Sequence, residues 1–130
     1  MLNKLKILLG LIPKQETVAQ EALRLLSPIP EEAFITGNFG DGEGKCCAIG
    51  HYVRLKSKNP NDFTEDNCRD FGTECVKLRV ESGVFLKKVH SLQGYDLPDV
   101  NNDSDINGYT EPVIKDRVIH CLKDMVKHGY

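Results

Sequence analysis

The stretch Thr110-Glu-Pro-Val-Ile-Lys-Asp-Arg-Val-Ile-His-Cys-Leu-Lys-Asp-Met-Val-Lys-His-Gly129 decides the fold. Ile114, Val118, Cys121, Leu122 and Met125 recur at i, i+4, i+7, i+8 and i+11, the spacing of one apolar helix face. Thr110 is a candidate N-cap, and Glu111 and Pro112 suit a first turn. Lys123 and Lys127 sit near the negative end of the helix, and Gly129 can close it as the left-handed C′ residue. A chain that ends this way needs other apolar helix faces to bury the stripe.

Upstream, Ser82 is a candidate cap for a helix in which Phe85, Leu86, Val89 and Leu92 share a face, ending at Gly94. Val76, Leu78 and Val80 alternate with Lys77 and Arg79, as in a short strand. Residues 56–73 are polar and read as a long loop or a helix of one or two turns. From Cys46 to Leu55, Ala48, Tyr52 and Leu55 form one line and Ile49 with Val53 another, a broad apolar helix face. Residues 31–45 hold Gly37, Gly40, Gly42 and Gly44 and read as a turn or a poorly ordered hairpin. Residues 15–26 form a helix with Val18, Ala22, Leu25 and Leu26 inward, stopped by Ser27-Pro28-Ile29-Pro30. Residues 2–12 form a short amphipathic helix stopped by Pro13, which packs on the next one. The expected architecture is mainly α, a compact single-domain helical bundle over residues 1–130. A small two-stranded β element near 33–38 and 76–80 completes it.

Composition narrows the function. The 130 residues are 40% hydrophobic and 28% charged, a globular balance. Lys plus Arg is 17 and Asp plus Glu 19, a net charge of −2, with the cations dispersed, so no nucleic-acid partner is expected. The run Ile7 to Ile12 is too short for a membrane span or a secretory leader, so neither membrane nor export is expected. Five cysteines, Cys46, Cys47, Cys68, Cys75 and Cys121, are odd in number and irregular in spacing, as in reduced cytoplasmic proteins. Gly40 to Lys45 lacks the spacing and the hydroxyl residue of a phosphate loop, and its two carboxylates would repel phosphate.

Three constellations could carry chemistry. Cys47 at a helix start is a candidate nucleophile, because free N–H groups there favour a thiolate. His51 lies one turn on, His90 or His120 are further candidate bases, and Asn102 and Asp103 candidate orienting groups. The plainer reading of these thiols is structural burial, and no catalytic residue is assigned. Cys47 and His51 are also two zinc ligands in search of two more. The only other His-Cys pair, His120-Cys121, is adjacent on a helix, so its side chains diverge by about 100°. Finally, Asp103, Asp105, Asn107 and Gly108 match positions 1, 3, 5 and 6 of a calcium loop, with Glu111 at 9. Ile114 stands where the bidentate acid belongs, and a second register from Asp99 puts Ser104 and Thr110 at the two defining positions. Asx-turns capping the last helix explain the same residues. No cofactor is expected, with calcium the one candidate ion.

The ordered set Ala22-Leu23-Arg24-Leu25-Leu26, Phe34 to Gly37, Cys46-Cys47-Ala48-Ile49-Gly50-His51, Asn102-Asp103, then Thr110 before the Val118 to Met125 helix resembles a family. That family consists of small uncharacterised bacterial and bacteriophage domains with a Cys-x-x-Gly helix start, an Asn-Asp pair and a Thr-capped C-terminal helix. The likeness covers roughly residues 16–127. The chain departs from it by an insertion at Ser104 to Tyr109 and a longer 57–76 segment. It implies a helical domain of phage or bacterial origin, in the host cytoplasm or on the virion, and no activity. The expected function is a binding module for a host or virion protein, with a thiol hydrolase or transferase using Cys47 as the alternative.

Overall fold

The computed structural model describes residues 15–37, 40–56 and 72–130. The sequence-predicted helix at 2–12, most of the polar 56–73 stretch and Cys68 lie outside them. Five α-helices follow one another: α1 (Val18–Leu26), α2 (Ala48–Leu55), α3 (Gly72–His90), α4 (Leu97–Asn102) and α5 (Ile114–Lys127). A 3-10 turn at Glu31–Ala33 links α1 to the glycine-rich segment. The protein is mainly helical, as its stripes require.

α1 starts where its capping box dictates. The Thr17 hydroxyl accepts from Gln20 N, and Gln20 Oε1 accepts from Thr17 N, so two otherwise orphaned N–H groups are satisfied. Its face of Val18, Ala19, Ala22 and Leu26 is buried against α5, and α5 in turn lies on α4. The small alanines let the backbones approach. α1 is also tied to α2 by polar atoms: Tyr52 OH donates to Glu21 Oε1 at 2.6 Å, and Lys56 Nζ reaches the same oxygen at 2.7 Å.

α5 keeps its predicted face and end. Val118, Cys121, Leu122 and Met125 are fully buried. Gly129, at φ +87°, closes it in a Schellman arrangement, with Tyr130 N donating to Met125 O and Gly129 N to Val126 O. Its start differs from expectation. The helix begins at Ile114, and Val113 occupies the cap position without a side-chain hydrogen bond, so Thr110 does not cap it. Arg117 anchors the entry instead, through the carbonyls of Glu111 and Pro112.

The expected strand at 76–80 is helical, a correction with a clear cause. In α3, Cys75, Leu78, Ser82, Phe85 and Leu86 are buried, at the i, i+3, i+7, i+10 and i+11 spacing of one helix face. A strand would have put Val76, Leu78 and Val80 on one side. The helix buries Leu78 and exposes the other two. Ser82 therefore sits inside a helix rather than at its start. Its hydroxyl donates to Arg79 O and accepts from Leu97 N, so it serves the first turn of α4. α3 ends at His90 rather than Gly94, with Ser91 left-handed at φ +59°.

With 76–80 helical, the two-stranded element is not formed from those segments. Cys46 instead bridges Phe34 in parallel and Gly40 in antiparallel fashion, as isolated pairs. Between them, Asp41 Oδ1 accepts from Glu43 N and Lys45 N, so the glycine loop spends its N–H groups on its own carboxylate. α4 is an element that sequence spacing missed. Asp96 and Asp99 form its capping box and Pro98 its first turn.

Candidate functional site

Cys47 is the N-cap of α2, and its Sγ accepts from Gly50 N at 3.4 Å. Two opposing effects act on it. The helix N-terminus favours a thiolate, while burial disfavours any charge, and burial prevails: the Cys47 thiol is held above its ordinary range. Burial pushes Cys46 up to about 11 and Cys121 up to about 12, and raises Cys75 as well. All four are buried free thiols. Site-resolved mass spectrometry after brief iodoacetamide exposure at pH 7.5 is therefore expected to find them unlabelled, and labelled together once denaturant unfolds the chain. Rapid labelling of Cys47 in the native protein would refute this assignment.

His51, the proposed partner of Cys47, has both ring nitrogens engaged elsewhere. Nε2 donates to Ala33 O at 2.7 Å, and Nδ1 accepts from Arg54 Nε at 3.0 Å, while the Phe34 ring lies 4.8 Å away. Neither nitrogen is left for a thiol or a metal. Burial pushes its pKa down to about 4 from 6.5. The unfolded chain therefore binds a proton that the folded one refuses between these values. Stability from this group is complete above pH 6.5 and is lost as pH falls through 4, on the order of 3 kcal/mol. Urea melts from pH 7 to 4 are expected to show that slope, and His51→Gln to flatten it.

The acidic segment also differs in detail from the thiol-orienting role considered for it. Asn101, which spacing did not single out, reaches α2. Fully buried, its Oδ1 accepts from Ala48 N at 2.9 Å and its Nδ2 donates to Ile35 O at 2.9 Å. Asn102 Oδ1 accepts from Gly37 N and from Asn101 Nδ2. Asp103 Oδ1 accepts from Asp105 N, the Asx-turn read from the sequence, and the side chains of Asp103, Asp105 and Asn107 face solvent. Among the described residues, no group of three His, Cys, Asp or Glu side chains is arranged to hold a metal ion.

His90 and His120 belong to a network of their own. Fully buried Tyr109 donates to Asp124 Oδ2 at 2.9 Å, and its oxygen lies 2.9 Å from His90 Nε2. Its single proton goes to the carboxylate, so His90 donates to it. His120 Nδ1 lies 2.8 Å from Glu111 Oε2, and its Nε2 3.6 Å from Asp124 Oδ2. These two contacts lie on opposite sides of the ring, so the carboxylates hold the ring rather than share an ion with it. The relay ties the end of α3 to α5 through the 103–113 loop.

The remaining feature is a surface. The large exposed hydrophobic residues among the described ones all fall between 76 and 95: Val76 at 55%, Val80 at 54%, Val84, Val89 and Tyr95. Val76, Val80 and Val84 stand at i, i+4 and i+8 on the outer side of α3, so they form one row. A groove of about 260 Å³ opens beside it, lined by Val76, Arg79, Val80 and Asp96, with Arg79 paired to Asp96 at 3.1 Å. The sequence signal for this row was present, but alternation at 76–80 disguised it as a strand.

Among the described residues, no helix is long and apolar enough to cross a membrane. Compared with family models, curated proteins and solved structures, the chain matches none.

Proposed function

We propose that this chain is a binding module for a protein partner, and that the outer face of α3 is its contact surface. The observation that carries this is the confinement of the exposed valines to one helical row. Isolated exposed apolar residues are ordinary on protein surfaces, whereas a contiguous row beside a groove marks an interaction site. The burial of Cys47 and the double engagement of His51 weigh against the thiol-enzyme alternative. The resemblance to phage and bacterial domains places the partner in the host or the virion, and the free thiols fit a reducing cytoplasm.

The test is affinity capture from bacterial host lysate by the intact chain and by a Val76→Asn, Val80→Asn variant. Both valines are more than half exposed, and Asn and Val have similar helix propensity, so the melting temperature should move little. Loss of a partner by this variant, with retention by Lys127→Glu on α5, supports the proposal. A partner held equally by all three proteins, or none held by any, refutes it.

A further inference from the structure

We infer that the α3 face takes an amphipathic helix whose apolar stripe is flanked by acidic residues; this rests on the binding-module reading above. α3 is apolar on two sides. Its inner side is buried with Leu78, Phe85 and Leu86, and its outer side carries the valine row. A helix that is apolar all round is one built to be covered on both faces. From Val76 to Val84 the row runs about 12 Å, a little over two turns, the length over which a crossing helix makes its contacts. Valines are short and stiff, so they form low ridges that allow a second helix to approach to about 8–10 Å.

Charge selects among such helices. Lys77, Lys87 and Lys88 are exposed around the row and make no ion pair to a described residue. Arg79 is neutralised by Asp96, and Glu81 on the far flank is only partly exposed. The free charge beside the valines is therefore positive, although the whole chain carries −2. A partner helix with Glu or Asp at its flanking positions meets unpaired lysines, and one with Lys or Arg is repelled. A lipid surface fits less well, because interfacial helices bury large aromatic and leucine side chains, and this row holds three valines.

The experiment titrates the full chain with two synthetic 18-residue peptides. Both carry leucines at i, i+4, i+7 and i+11, one with flanking glutamates and one with flanking lysines. The glutamate peptide should bind, and Val76→Asn, Val80→Asn should abolish binding. A Lys77→Glu, Lys87→Glu, Lys88→Glu variant should lose tenfold or more for the glutamate peptide and take up the lysine peptide instead. Equal affinity for both peptides, or no binding of the glutamate peptide, overturns the inference. So does stronger binding to vesicles containing anionic lipid, or self-association in sedimentation that the valine variant removes. If the glutamate peptide fails while the valine variant still loses its lysate partner, only the charge assignment falls. If the valine variant changes neither assay, both proposals fall together.

Discussion

Replacing Arg117 with methionine is expected to cost about 3–5 kcal/mol of stability, read as a lower urea midpoint with an unchanged slope. Arg117 is 4% exposed and has carbonyl oxygens as its partners. Its Nε donates to Val100 O at 2.7 Å and one terminal nitrogen to Asn101 O at 2.6 Å, while the other serves Glu111 O and Pro112 O at 3.1 Å. Val100 and Asn101 belong to the last turn of α4, where carbonyls have no partner within their own helix. The guanidinium therefore closes α4 and fixes the entry of α5 at once. Methionine preserves much of the volume but leaves those carbonyls without donors, two of them buried, and a buried orphan costs about 1–3 kcal/mol. Arg117→Lys should rescue only in part, because a single ammonium cannot present the planar fork that spans two loop carbonyls and two helical ones. A loss below about 1 kcal/mol for Arg117→Met would mean that water replaces the guanidinium freely.

Asn101→Leu is the second large effect, about 2–4 kcal/mol. Its amide joins three chain segments: the first turn of α2 through Ala48 N, the loop before the glycine segment through Ile35 O, and Asn102 beside it. Leucine nearly matches its size but supplies neither the acceptor nor the donor, so a buried N–H and a carbonyl lose their partners. Asn101→Asp separates the two roles. It keeps the acceptor for Ala48 N and removes the donor to Ile35 O, so it should be destabilising at neutral pH, where the added charge is also buried, and recover in part as acid protonates it. Chemical denaturation at pH 7 and pH 5 checks both statements. Equal stability of Asn101→Leu and the parent protein would show that this amide is dispensable.

The two effects explain why the segment from 96 to 113 misleads when read alone. Its alternating Asp and Asn residues look like ion ligands or an orienting pair for a thiol. In the fold they serve as a capping box, an Asx-turn and a cross-link to α2. The His90, Tyr109, Asp124, His120 and Glu111 relay is a similar case, since its members are scattered in sequence and meet through the packing of α3 on the 103–113 loop and α5.

Local periodicity and end chemistry alone determined the helices at 18–26, 48–55 and 114–127, and the closure at Gly129. These follow from the chain itself, because a 3.6-residue apolar stripe and a left-handed glycine act within a few residues of each other. Tertiary structure decided what lies beyond that range. It chose helix over strand at 76–80, since burial of Leu78 with Phe85 and Leu86 outweighs a three-residue alternation. It also turned the Cys47 thiol into a structural cap, because desolvation depends on which neighbours arrive from elsewhere in the chain, and sequence spacing does not encode them.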